Sequence, residues 1–260
     1  MTIREIMKRG PWTILESDTL GNAQQLMAQH HIRHLPVTSE GVLVGMLSER
    51  DLLQARAHSD GDERWWKIPV HFAMQPAETA DIDEAVEVVA QRMGSTRVGA
   101  FAVLEETKLT GVVSVIDVLL ARTASQKAEN ARTAADAMIA HPPTVRPEQT
   151  LVEAVRIMCD QHLHELPVTD DGGRVVGMIT EADVRRCVGD PATYLSHTHR
   201  CVDVQDVMDT GVPPIRDDRP IAEVAHYFAD ARLEALPVVD ATGALVGVMS
   251  YLDTLNALAR

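Results

Sequence analysis

The chain has 260 residues, a formal net charge of −14 and only 3% aromatic side chains. That acidity sets it against non-specific binding to nucleic acid or to anionic membranes, which need a basic surface, and no apolar run approaches the roughly 20 residues that cross a bilayer. With 45% apolar and 24% charged residues it reads as a globular protein whose core is filled by Leu, Val, Ile, Ala and Met.

In chain order, the first element is an apolar patch that ends in Met, Ile3 to Met7. A short extended segment follows at Trp12-Thr13-Ile14. Leu20, Ala23, Leu26 and Met27 keep the 3/4 spacing of an amphipathic helix, with Thr19 at the N-cap position. Two strands come next. The first is Leu35-Pro36-Val37. After a turn at Gly41, the second carries the string Gly45-Met46-Leu47-Ser48-Glu49-Arg50-Asp51. A further helix opens at Leu52-Leu53. The order is β-α-β-β-α, which places the chain in the α+β class.

The same order returns three times. Patches ending in Met recur at Val70 to Met74, Ala134 to Met138 and Val202 to Met208. Pro143-Thr144-Val145 repeats the extended segment, and Leu151, Ala154, Val155 and Met158, behind Thr150, repeat the first helix. Strands recur at Phe101-Ala102-Val103, Leu166-Pro167-Val168 and Leu236-Pro237-Val238-Val239, with turns at Gly172-Gly173 and Gly243. The string returns from Gly111 to Asp117, from Gly177 to Asp183 and from Gly247 to Asp253. Its skeleton is Gly, two apolar residues, Ser or Thr, two variable residues, Asp. A skeleton recurring every 66 to 70 residues means a chain built from repeats. Their expected bounds are 1–56, 68–122, 133–188 and 202–260, with linkers between. The linker at 123–132 is polar and reads as a helical or flexible joint. Trp65-Trp66, in the linker at 57–67, is expected to pack on a neighbouring repeat, with ligand stacking as the alternative.

The string runs off a strand into a helix, so its hydroxyl falls at the N-cap and its Asp at the third helical position. Two readings fit. One is a capping box, although such boxes prefer the longer Glu or Gln. The other is part of a nucleotide site: the helix N-terminus offers N–H groups and a positive dipole end to an anion, the hydroxyl reaches phosphate or sugar, and the carboxylate accepts a ribose diol as in dinucleotide folds. Positive charge for a phosphate is densest in the first repeat, where Arg50 lies inside the string and Arg33-His34 precede Leu35-Pro36. The second repeat offers Arg97, the third His162 and His164, the fourth Arg216 and Arg232. The first repeat is therefore the preferred phosphate site.

Four strings in register, three Leu-Pro-Val strands and the Met-ended openings make the chain resemble cystathionine-β-synthase (CBS) domain proteins over nearly its whole length. The resemblance implies that two repeats pack through their sheets into a pseudo-two-fold pair, the Bateman module, giving modules at 1–122 and 133–260. It also implies clefts between paired repeats that bind adenosine-containing ligands such as AMP, ADP, ATP, S-adenosylmethionine or NADH, and in some members cyclic dinucleotides or metal ions. Ser48, Ser114, Thr180 and Ser250 match the hydroxyl that reaches phosphate or ribose. Asp51, Asp117, Asp183 and Asp253 match the ribose acid. Thr13 and Thr144, with the backbone near Pro36 and Pro167, match the walls that hold the base. Arg33, His34 and Arg50 are the phosphate candidates. The second repeat departs from the pattern: Gly99-Ala100-Phe101-Ala102-Val103 lacks the Pro, and Val115-Ile116 stand where a basic residue could sit. Its string is expected to be mostly a cap.

Cys159, Cys187 and Cys201 are odd in number and confined to the second half, which suits a reducing cytoplasm. The N-terminal segment has no continuous apolar core of the signal-peptide kind. Cys159 with His162 and His164 reads as a core Cys and surface His rather than a metal site, and Cys187 with His197, His199 and Cys201 is treated likewise. No Gly-x-Ser-x-Gly, Walker loop or Gly-x-Gly-x-x-Gly is present, and four repeats leave no residues for a catalytic domain. The expectation is a non-catalytic, cytoplasmic regulatory protein. It would be a homodimer with no required cofactor that senses an adenine nucleotide and acts on an unidentified protein target, without nucleic-acid or membrane partners. A ligand-free interaction scaffold is the alternative, and a metal-dependent enzyme a more distant one.

Overall fold

The computed structural model describes residues 1–57, 64–125, 132–161, 163, 165–188, 202–231, 233 and 235–259. The chain divides into two compact units, Met1–Val118 and Leu119–Arg260.

In the first unit, the first repeat runs α1 (Ile3–Ile6), β1 (Lys8–Arg9), β2 (Ile14–Leu15), α2 (Leu20–His30), β3 (His34–Ser39), β4 (Val42–Ser48) and α3 (Glu49–Ala57). Leu20, Ala23 and Met27 of α2 are buried on one face, as their spacing requires. The helix starts on Thr19, whose side chain accepts from the Asn22 N–H, and ends at His31 in the left-handed conformation. Leu35 to Thr38 of β3 are all buried. Glu40 (φ 49) and Gly41 (φ 81) turn β3 into β4, and two successive positive φ values match the right-handed twist of the hairpin. β2 lies parallel to β3 on its other side. The second repeat follows the same plan: β5 (Thr79–Asp81), α4 (Val86–Thr96), β6 (Ala100–Glu105), β7 (Lys108–Ser114) and α5 (Val115–Ser125).

The Met-ended openings do not pack on the repeats they precede. They are exchanged. β1 pairs antiparallel with β7, setting Lys8 opposite Val112 and Arg9 opposite Gly111, and the Ile3 N–H donates to the Glu84 carbonyl. In return, the 3-10 turns Trp65–Lys67 and Val70–Phe72 lie on the first repeat. The Leu20 N–H donates to the Ile68 carbonyl at 2.8 Å, and Met46 and Gln75 exchange backbone hydrogen bonds of 2.9 and 2.8 Å. A Cβ on Gly45 would stand 2.7 Å from the Met74 sulfur and 3.0 Å from the Gln75 carbonyl oxygen; on Gly111 it would meet Met7 and Lys8 at the same distances. The Gly of each string thus admits the Met of the other repeat. Trp65 packs against the core of the first repeat, beside Leu20, Leu47 and Val70, as expected from sequence. Trp66 is half exposed, abuts Gly21 and carries the Lys67 ammonium 5.0 Å from its ring centre.

The second unit repeats the exchange. Its elements are β8 (Ile139–Ala140), α6 (Leu151–Gln161), β9 (Glu165–Thr169), β10 (Val175–Thr180), α7 (Glu181–Val188), β11 (Ile215–Arg216), α8 (Ile221–Ala231), β12 (Ala235–Val239), β13 (Leu245–Ser250) and α9 (Tyr251–Ala259). β8 pairs antiparallel with β13, opposite Ile139 standing Val248, and Asp209 bridges Met178. Leu151, Ala154, Val155 and Met158 pack with Leu166, Val168, Ile179 and Val184. Cys159 is exposed rather than in the core, a correction with a simple cause: one residue past Met158 rotates the side chain about 100° around the helix, away from the buried face. Cys187 is exposed as well, while His162, His164, His197, His199 and Cys201 lie outside the described residues. Among the described residues no group of three His, Cys, Asp or Glu is placed to hold a metal ion.

Candidate functional site

Each string is the last part of a hairpin strand and the first turn of the next helix. In the first repeat, the Ser48 N–H and Oγ donate to one oxygen of Asp51, Oδ2, at 2.7 and 2.5 Å, and the Asp51 N–H donates back to Ser48 Oγ at 3.2 Å. Ser114 and Asp117 make the same three bonds at 2.9, 2.5 and 3.3 Å. Thr180 and Asp183 make them at 2.9, 2.5 and 3.2 Å. Ser250 and Asp253 make them at 2.9, 2.6 and 3.2 Å. These are complete capping boxes. The shortness of Asp is therefore no obstacle: the cap residue closes a strand, and its N–H lies within reach of the N3 carboxylate without the extra methylene. In every box only Oδ2 is used, so Oδ1 stays outside it.

The surroundings of the boxes differ. Across the hairpins, His34 stands opposite Ser48, Ala100 opposite Ser114, Glu165 opposite Thr180 and Ala235 opposite Ser250. Burial against the sheet and the neighbouring Arg33 charge push His34 down to about 4, so it is a neutral imidazole at physiological pH. The Arg33 carbonyl accepts the Glu49 N–H at 2.9 Å, and its guanidinium lies 4.0 Å from the Glu49 carboxylate. Arg50 is exposed on the first turn of α3.

The other sequence candidates come to the same sheet ends. Ile14 pairs with Val37, which puts exposed Thr13 beside buried Pro36, at the end where His34 and Ser48 lie. Val145 pairs with Val168 and its N–H donates to the Pro167 carbonyl at 3.2 Å, which puts Thr144 beside Pro167 and toward Thr180 and Asp183.

One set of residues was missed. The residue after each opening Met lies on the string of the other repeat. The Lys8 ammonium is 3.6 Å from Asp117 Oδ1, the oxygen left outside the box. The opening of the first repeat thus sets a cation at the string of the second, where Val115-Ile116 offer none. An open cleft of about 340 Å³ runs beside Asp51. It has Asp51, Gln54 and Ala55 of α3 on one side and Ile68, Phe72 and Gln75 on the other. The recurrence of Met and of the string Gly was the available signal, but spacing alone does not say which Met meets which Gly.

The CBS domain family matches residues 3–58, 71–123, 134–190 and 204–260. The chain belongs to this family. Over 273 residues of alignment it is 24% identical to an uncharacterized protein of Methanocaldococcus jannaschii, covering 95% of both. It is 28% identical over 126 residues to a homoserine O-acetyltransferase of Methanohalophilus mahii, covering 48% of this chain and 24% of that protein, so the chain spans about a quarter of that relative's length. Among solved structures, a Methanocaldococcus jannaschii protein proposed to be an archaeal homolog of g-AMPK superposes with a TM-score of 0.78 at 19% identity, over 98% of this chain and 99% of that one. At that identity the likeness shows the fold: four CBS repeats as two Bateman modules. Among the described residues no helix is long and apolar enough to cross a membrane.

Proposed function

We propose that this CBS protein is a non-catalytic, cytoplasmic sensor that binds adenosine-containing ligands in the clefts between paired repeats. AMP, ADP and ATP are the first choice, with S-adenosylmethionine and NADH in the same chemical class. The observation that carries the reading is the fourfold recurrence of a hydroxyl and a carboxylate at a helix head, with Oδ1 left outside the cap. Oδ1 of Asp51, Asp117, Asp183 and Asp253 is the acceptor for a ribose diol. Ser48, Ser114, Thr180 and Ser250 sit at N–H-rich helix starts suited to phosphate. Thr13–Pro36 and Thr144–Pro167 are the base walls, with Arg33, Arg50 and neutral His34 nearest the first phosphate position. A ligand that bridges two repeats binds one relative arrangement better than another, and that difference in affinity is what biases a partner surface. The modules at 1–122 and 133–260, a homodimeric assembly and a protein target belong to the same proposal.

The test is calorimetric titration of ligand-free protein with adenosine, AMP, ATP, S-adenosylmethionine and NADH. Saturable binding by one or more supports the sensor. No binding by any overturns it. The completeness of all four capping boxes favours one rival, a scaffold in which the strings only cap helices. Asp51→Asn separates the two: under the scaffold reading it lowers the melting temperature with no effect of ligand, whereas in a sensor it also removes part of the ligand-induced rise.

A further inference from the structure

The residue after the opening Met is Lys8, Gln75, Ile139 and Asp209 in the four repeats. The structure makes these positions equivalent. Lys8 pairs with Val112, Gln75 with Met46, Asp209 with Met178 and Ile139 with Val248, each the residue after the string Gly. Each therefore lies against the string of the other repeat in its pair, with a different side chain. Gln75 is neutral and lines the open cleft beside Asp51. Ile139 is apolar. The Asp209 carboxylate accepts the Gly211 N–H at 2.7 Å and closes its own turn. Lys8 alone of the four is a cation, and its ammonium stands at Oδ1 of Asp117.

We infer that Lys8 makes the adenosine site at Asp117 selective for phosphate-bearing over uncharged ligands, an inference that rests on the adenosine-site reading above. Without ligand, the Lys8 charge is balanced by Asp117. A ribose diol that takes Oδ1 competes with the ammonium, so an uncharged nucleoside binds at the expense of that pair. A nucleotide brings its own negative charge, and the ammonium, 73% exposed on a flexible stem, turns from the carboxylate to the phosphate and stays paired. The same step at the other three positions has no cation to exchange. The site thus draws its cation from one repeat and its carboxylate from the other.

The test is titration of the full-length, ligand-free chain with adenosine and with ATP, in the parent and in Lys8→Gln, Lys8→Arg and Asp117→Asn variants. Lys8→Gln copies the residue that the protein itself uses at position 75 and touches an exposed side chain, so the fold is retained. The expected result is a drop of roughly two- to fivefold in the ratio of ATP to adenosine affinity, the range an exposed ion pair commands. Lys8→Arg is expected to keep the ratio, and the drop is expected to persist in the Asp117→Asn background, where the ammonium still meets the phosphate. An unchanged ratio in Lys8→Gln, with Asp117→Asn still weakening binding, overturns the selectivity and leaves the adenosine site standing. No binding of either probe to the parent overturns both.

Discussion

His34 is a residue whose charge the fold controls. Its ordinary value is 6.5 and the folded one about 4, so between those values the unfolded chain binds more protons than the folded one. Stability therefore rises with pH through that window and is lost as pH falls from 6.5 toward 4. His34→Gln is expected to flatten this part of the acid limb when urea midpoints are measured against pH. At the same scale, Asp51→Ala removes the acceptor for both the Ser48 N–H and hydroxyl and is expected to cost about 1 kcal/mol, the usual worth of an N-terminal cap, read by thermal or urea unfolding. These boxes were legible in the sequence because they are local: Ser48 and Asp51 are three residues apart, and helix geometry alone brings them together. The Lys8–Asp117 pair was not legible, because a contact across 109 residues depends on β1 adding to the edge of β7.

Among the elements, the hairpins and long helices follow from local pattern. Leu35-Pro36-Val37 reads as a buried strand and is one, and Leu151, Ala154, Val155 and Met158 form the buried face of α6. The opening segments obey a different rule. Two residues of β1 cannot hold together alone, and they gain order only by adding to the edge of β7 and by seating Met7 over Gly111. Gly45→Ala is expected to destabilise by about 1–3 kcal/mol, as overpacking does. The Met74 sulfur can yield, but the Gln75 carbonyl, held in the bridge to Met46, cannot. The double variant Gly45→Ala, Met74→Ala should therefore recover none of the loss in urea unfolding. Met7→Ala, at a nearly buried site, is expected to cost about 2–4 kcal/mol.

For the molecule as a whole, the exchange makes the pair of repeats, rather than the single repeat, the unit of folding. A fragment spanning 1–122 is expected to unfold in one cooperative transition. A fragment spanning 68–122 alone lacks β1 and Met7, leaves the β7 edge unpaired, and is expected to show neither cooperative unfolding nor dispersed amide resonances. A cooperative transition in the shorter fragment would mean that the exchanged opening contributes little. Sequence by itself determined the repeat, its β-α-β-β-α order, the family and the chemistry placed at each helix head, because all of these are written in short-range spacing and periodicity. Tertiary structure decided which repeat each opening serves, that Asp completes the cap with one oxygen and leaves the other outside, and that the strings ending at Asp51, Asp117, Asp183 and Asp253 pair with a glutamine, a lysine, an aspartate and an isoleucine. Those are matters of which edges meet, and edges far apart in the chain meet only when apolar burial brings the sheets together.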